Sequence, residues 1–307
     1  MDYYKLSAIA IDEFSGLTAD TYGMDSLDEC HDKNYFKNYP LPVHYQFNEI
    51  GYREKSISQY TGTEILAIGD SFTVGLGLSA DKTWPSQLEN IVEYPVLNFG
   101  LNGASNNWIA RKCLQLLEYF DPPYIVVHWT FSHRREHWNS SWSDVERMLH
   151  YTDTTVDNSQ ENWENWKRCA SQVENNPKKI PVIHSIIRDW HNSPVDFSEV
   201  DFAIPLIPPV NVAVSSLFLT ASAFVKYLEP YYDNERLSVD KTKSSFPKLS
   251  DNQINMLLSK LDFVDFARDG FHYGPGTCNI LANKIAQYIK LPWPLVRDFA
   301  SCYDNDA

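Results

Sequence analysis

The chain has 307 residues, 43% of them hydrophobic and 21% charged, and carries a formal net charge of −14. This is ordinary globular usage with enough apolar residues for a sizeable core, and the acidic excess repels phosphate backbones and anionic lipid, which excludes nucleic acid and membrane surfaces as expected partners. No apolar run reaches the roughly 18 residues a bilayer span needs, the opening MDYYKLSAIAIDEF lacks a secretory pattern, and the five scattered cysteines without a CxxC pair read as reduced thiols, so a cytoplasmic setting is expected.

Residues 1–62 are polar and aromatic with little periodicity. They read as an N-terminal extension packed on the core, with a short strand near HYQFNEIGYRE. From residue 63 the pattern sharpens. TEILAIG is a continuous apolar run that ends in Gly and predicts a buried strand feeding a turn. DKTWPSQLENIV has helical spacing through Trp84, Leu88 and Ile91. YPVLNFG is the next buried strand. After LNGASNN, the run WIARKCLQLLEYF puts Ile109, Cys113, Leu116, Leu117 and Phe120 on one helix face, and Asp121, Pro122 and Pro123 stop it. YIVVHWT is a third strand.

The stretch from 134 to about 260 is less regular and reads as an enlarged insertion. Helices are expected near 142–150 and 160–174, a strand at IPVIHSII, mixed structure through IPLIPPVNVAV, and a helix at SLFLTASAFVKYL. LDFVDF predicts a last strand and GPGTCNILANKIAQYI a last helix, with Pro275 in its first turn, where a missing N–H costs little. Residues 293–307 read as a tail. Apolar strands alternating with helices predict an α/β fold: a three-layer α/β/α sandwich around a mostly parallel sheet of about five strands, in flavodoxin-like order, as one domain over 63–292.

The chemistry concentrates at the carboxyl ends of these strands, where sites in such sheets lie. IGDSFT places Ser71 on a strand-to-helix turn. That geometry exposes a hydroxyl and aims the backbone N–H of Ser71 at a developing oxyanion. Far downstream, ARDGFHYG carries Asp269 and His272 three residues apart on a loop before the last helix. This spacing lets the imidazole face Ser71 while the carboxylate holds its other nitrogen. Considered alone, Ser71 could equally be a helix N-cap, and His272 and Asp269 ordinary loop residues.

GDSFT resembles the first block of the SGNH (GDSL) hydrolases, NFGLNGAS the second, and DGFH the D-x-x-H of the last. FNEIGYRE resembles a segment that precedes the first block in a subset of these proteins. The resemblance covers most of 63–133 and 262–289, in the family's order. It implies Ser71 as nucleophile, His272 as general base and Asp269 as its orienting carboxylate. It implies the N–H groups of Ser71 and Gly103 as oxyanion donors, with Gly103 preferred to Gly100. Asp70 is expected to stabilise the turn.

The third block departs from the pattern. Where the family carries G-x-N-D, this chain runs IVVHWTFSHRREHW, without the Asn that would donate to the oxyanion. Ser132, His133, Arg134 or Arg135 are the candidates to replace it; loss of one such donor costs about 10²–10³ in turnover. HRREH also matches the H-x-x-E-H zinc pattern, but it follows a buried strand where that motif needs a helix, so no metal and no cofactor are expected. His128 and His184 read as buried strand residues. The resemblance implies a serine esterase acting on a small-molecule or carbohydrate ester, such as an O-acetyl group. Acyl transfer to an alcohol and a non-catalytic binding or assembly role both stay open, as does the oligomeric state.

Overall fold

The structure, a computed structural model, describes residues 6–23, 25–26, 43–131, 134–136, 159–187, 267–269 and 272–291. Among the described residues, four parallel strands form the main sheet: β3 (Ile65–Gly69), β4 (Val96–Gly100), β5 (Ile125–Trp129) and β6 (Val182–Ile186), in the order β4-β3-β5-β6. Leu66 pairs with Leu97 on one side and with Ile125 on the other, and Ile125 pairs in turn with Val182. Every residue of these strands is buried, which is why they read as continuous apolar runs rather than alternating ones. The order matches the flavodoxin-like pattern over its first four strands. The strand expected at 261–266 and the helices expected near 142–150 and 216–228 lie outside the described residues.

Among the described residues, five helices accompany the sheet: α1 (Ser71–Val74), α2 (Trp84–Val92), α3 (Asn106–Leu116), α4 (Ser159–Glu174) and α5 (Pro275–Ala286). Their starts follow local chemistry. The Ser105 hydroxyl accepts from the Trp108 N–H at 3.1 Å and caps α3, and α2 and α5 each carry a proline in their first turn.

Strand periodicity divides the core into two layers. Leu66, Ile68, Leu97, Phe99, Ile125, Val127 and Trp129 pack with Ile109, Cys113 and Leu116 of α3 and Trp166 and Val173 of α4. Ile65, Ala67, Val96, Val126 and Ile183 pack on the opposite face with Trp84 and Leu88 of α2 and Leu281 and Ile285 of α5. The result is a helix–sheet–helix sandwich.

The described parts of the segment before residue 63 add a small antiparallel ladder, β1 (Thr18–Ala19) with β2 (Tyr45–Gln46). They also add core. Leu6, Ile9, Ile11, Ile50 and Tyr52 join the α3/α4 layer, while Val43, Tyr45 and Phe47 form a cluster with Val74 and Leu76 just beyond α1. Cys113, Cys169 and Cys278 are buried. Among the described residues, no helix is long and apolar enough to cross a membrane.

Candidate active site

β3 delivers the chain to the site. At its end, Gly69 passes so close to α1 that a Cβ there would lie 2.1 Å from the Thr73 hydroxyl and 2.7 Å from the His128 carbonyl oxygen. Only glycine lets the turn fold back this tightly. Asp70 is the N-cap of α1, and its carboxylate accepts from the Phe72 N–H at 3.0 Å. Ser71 is therefore the first residue of the helical turn. Its N–H has no intrahelical partner by position, and none among the described residues. The turn closes at Gly75, whose N–H donates to the Ser71 carbonyl at 3.0 Å.

The loop before α5 supplies the other two groups. The Asp269 carboxylate accepts from the His272 backbone N–H at 3.0 Å and from the His272 ring at Nδ1, 2.5 Å away. One carboxylate thus sets both the loop and the ring. The His272 Nε2 lies 2.8 Å from the Ser71 Oγ. With Nδ1–H donating to Asp269, Nε2 is the acceptor for the Ser71 hydroxyl proton. All three residues are buried, Ser71 included, so its hydroxyl is covered where the strand-to-helix turn predicts an exposed one. Phe72 packs 4.5 Å from the His272 ring and 4.5 Å from Tyr273, which limits how far the imidazole can swing. The loop is closed from behind, where the Ala267 N–H donates to the His272 carbonyl at 2.8 Å. Three groups from distant parts of the sequence therefore meet in one hydrogen-bonded line.

Gly103 stands in the loop after β4 at φ 76°, with open space where a Cβ would point, and its N–H has no backbone partner among the described residues. Ser132 and His133 lie outside the described residues, as does His137 of the HRREH pattern. Arg134 is turned onto Asp70, with its guanidinium 3.0 Å from the buried carboxylate. The Thr130 hydroxyl donates to the same oxygen at 2.5 Å, and the Arg134 backbone N–H closes a turn on the Phe131 carbonyl. Arg135 pairs with Glu161, and Glu136 accepts two bonds from Arg111. Of the four third-block candidates, Arg134 thus reaches the carboxylate next to Ser71.

The strand histidines are structural. Trp129 Nε1 can only donate, so the His184 Nδ1 at 3.0 Å accepts and the His184 Nε2–H points at Glu174, 2.8 Å away. His128 contacts the Ser185 hydroxyl at 3.1 Å, and burial pushes its pKa down to about 4. Among the described residues, no group of three or more His, Cys, Asp or Glu side chains could hold a metal ion.

No family model and no curated protein matches the chain. Among solved structures it resembles a lipolytic protein of the G-D-S-L family from Desulfitobacterium hafniense, at 12% identity, covering 74% of this chain and 99% of that one, with a TM-score of 0.37. It also resembles an acetyl xylan esterase from Butyrivibrio proteoclasticus, at 14% identity over 44% and 50% of the two chains and a TM-score of 0.29. An acetyl-xylooligosaccharide esterase from Geobacillus stands at 13% identity, 76% and 96% coverage and a TM-score of 0.32.

Proposed function

We propose that the chain is an ester hydrolase of the SGNH type, working through an acyl intermediate on Ser71. The observation that carries this reading is the unbroken line from Asp269 through His272 to Ser71, with contacts of 2.5 and 2.8 Å. In this mechanism His272 Nε2 takes the proton of the Ser71 hydroxyl as its oxygen attacks the acyl carbon. Asp269 holds Nδ1–H, fixes the tautomer and stabilises the imidazolium that forms. The carbonyl oxygen gains negative charge and is received by the N–H groups of Ser71 and Gly103. The imidazolium then returns its proton to the leaving alcohol. Water activated by the same His272 cleaves the acyl-enzyme and restores the hydroxyl.

Arg134 acts behind this line rather than in it. Its charge offsets Asp70, so the carboxylate next to the nucleophile does not oppose a developing oxyanion. An O-acetyl group on a carbohydrate is the substrate class we favour; the solved structures of low similarity include esterases of that kind. The resident hydrogen-bond line serves an alcohol acceptor as well as water, so acyl transfer shares every step but the last.

A fluorophosphonate probe tests the reading directly. The parent chain is expected to label covalently and to hydrolyse 4-nitrophenyl acetate, and Ser71→Ala to do neither. An unlabelled, inactive parent beside a labelled control hydrolase would favour a binding or assembly role on the same fold.

A further inference from the structure

The segment before residue 63 reaches into the candidate site at two points, and both run through one buried cluster. Asp25 and Arg268 are fully buried and form a two-pronged ion pair, with Nε to Oδ1 at 2.7 Å and a terminal guanidinium nitrogen to Oδ2 at 2.6 Å. Arg268 also donates to the Asp20 carbonyl at 2.9 Å. It is the residue immediately before Asp269, so the N-terminal segment grips the loop that carries Asp269 and His272. Its planar fork fixes an orientation as well as a distance.

The second oxygen of Asp25 accepts from the Tyr45 hydroxyl at 2.5 Å, and the Gly77 N–H donates to that hydroxyl oxygen at 2.7 Å. Gly77 in turn accepts from the Arg268 N–H at 3.2 Å. A Cβ on Gly77 would lie 2.8 Å from the Arg268 nitrogen and 3.1 Å from the Asp269 nitrogen, and its φ is 74°. The turn after α1 and the Asp269 loop are therefore in backbone contact at this point.

Arg53 completes the arrangement on the nucleophile side. Its guanidinium lies 4.2 Å over the Tyr45 ring and donates to the carbonyls of Val74, Gly75, Leu78 and His44. It thus ties down the end of α1 and the turn that follows. The Ser71 side and the His272 side are held by different residues, and Tyr45 and Asp25 join them.

We propose that Asp25, acting through Arg268 and Tyr45, is a positioning residue that sets His272 against Ser71, so that the N-terminal segment is a working part of the site. The proposal rests on the ester-hydrolase reading above for its kinetic consequence, though not for its geometry. A misplacement of about 1 Å in such a line is enough to cost about 100-fold in rate.

The test uses the full chain carrying Asp25→Asn, which keeps the shape and removes the charge, or Tyr45→Phe, which keeps the ring and removes the bridging hydroxyl. The control is Val173→Ala, a buried position on α4 in the opposite layer. In both positioning variants kcat on 4-nitrophenyl acetate is expected to fall roughly 100-fold, with KM within about a factor of two. The strongly deshielded Nδ1–H proton resonance of His272 should broaden or vanish in the same variants. Val173→Ala should lose thermal stability and keep both readouts, which separates positioning from general weakening.

Folded variants with parental kcat and an unshifted His272 resonance would overturn the proposal. If Asp25→Asn does not fold, Tyr45→Phe decides alone. If the parent neither labels with a fluorophosphonate nor turns over ester, the hydrolase reading fails and the resonance judges the positioning role by itself. Its loss in folded variants supports the role, and its persistence refutes it.

Discussion

A carboxylate three residues before a histidine can do two jobs at once, and Asp269 does both. It accepts the backbone N–H that closes the loop and the ring Nδ1–H that sets the tautomer. An amide in its place can hold the loop while favouring the wrong tautomer. Asp269→Asn is therefore expected to fold as the parent does and to lower kcat on 4-nitrophenyl acetate by about 10⁴-fold, read in steady-state assays beside a thermal melt. The Ser–His–Asp grouping was legible in the sequence, because residue type and spacing carry it: a Ser on the turn after an apolar run, and an Asp three residues before a His. The role of Arg134 was not. Nothing in HRREH says which of two adjacent arginines turns inward, and only packing puts one on Asp70 and the other on Glu161. The Asp70 side chain is fully buried and the Arg134 side chain is 16% exposed. Arg134→Met leaves that carboxylate with Thr130 and the Phe72 N–H alone, and should cost about 3 kcal/mol in denaturant unfolding.

At the scale of the elements, polar groups inside the sheet make folding sensitive to pH in two opposed ways. Burial lowers the pKa of His128 on β5 to about 4, from an ordinary value of 6.5. Between those values the unfolded chain binds a proton that the folded chain refuses, so this contribution is present above pH 6.5 and is lost as pH falls toward 4. It amounts to about 3 kcal/mol. His184 on β6 is also lowered by burial and acts in the same sense.

Glu54 works the other way. Its carboxylate accepts from the Asn98 N–H of β4 at 2.6 Å, and the Glu89 carboxylate accepts from the Val96 N–H at 2.8 Å. Two acids thus occupy N–H groups of a strand that ends the described sheet, which blunts it against pairing with another chain. Burial raises the pKa of Glu54 to about 7 from 4.5. Its contribution is complete below pH 4.5 and is lost as pH rises through 7. Urea titrations from pH 4 to 8 should therefore show a steeper loss on the acid side in Glu54→Gln. In His128→Phe stability should decline as pH rises toward 7. The strands themselves were legible as apolar runs. The caps on β4 were not, because their donors and acceptors lie far apart in sequence.

On the scale of the whole molecule, the segment before residue 63 shares the core of the sheet. Leu6, Ile9, Ile11, Ile50 and Tyr52 are buried in the layer that covers α3 and β4. At 1.5–3 kcal/mol for each buried apolar side chain, their removal would forfeit about 10 kcal/mol, comparable to the entire stability of a typical domain. A chain beginning at residue 63 should therefore show no cooperative thermal transition, whereas the full chain should. Calorimetry on the two decides it. A truncated chain that melts cooperatively would mean that the sandwich closes without this layer.

By itself, the sequence determined the order of the described strands and helices, the buried character of those strands and the three candidate groups, Ser71 after β3 and Asp269 and His272 before α5. Those properties follow from short-range pattern: a continuous apolar run with Gly at its end, an apolar helical face stopped by Asp121, Pro122 and Pro123, an Asp three residues before a His. Only the tertiary structure decided that the 2.8 Å contact from His272 to Ser71 closes, that Arg134 turns onto Asp70, and that a polar stretch without periodicity supplies Asp25 to Arg268, 243 residues away. Such contacts depend on the summed geometry of every intervening element. A single buried ion pair leaves no repeat for a sequence to display, and its partners are chosen by the space the folded core leaves open.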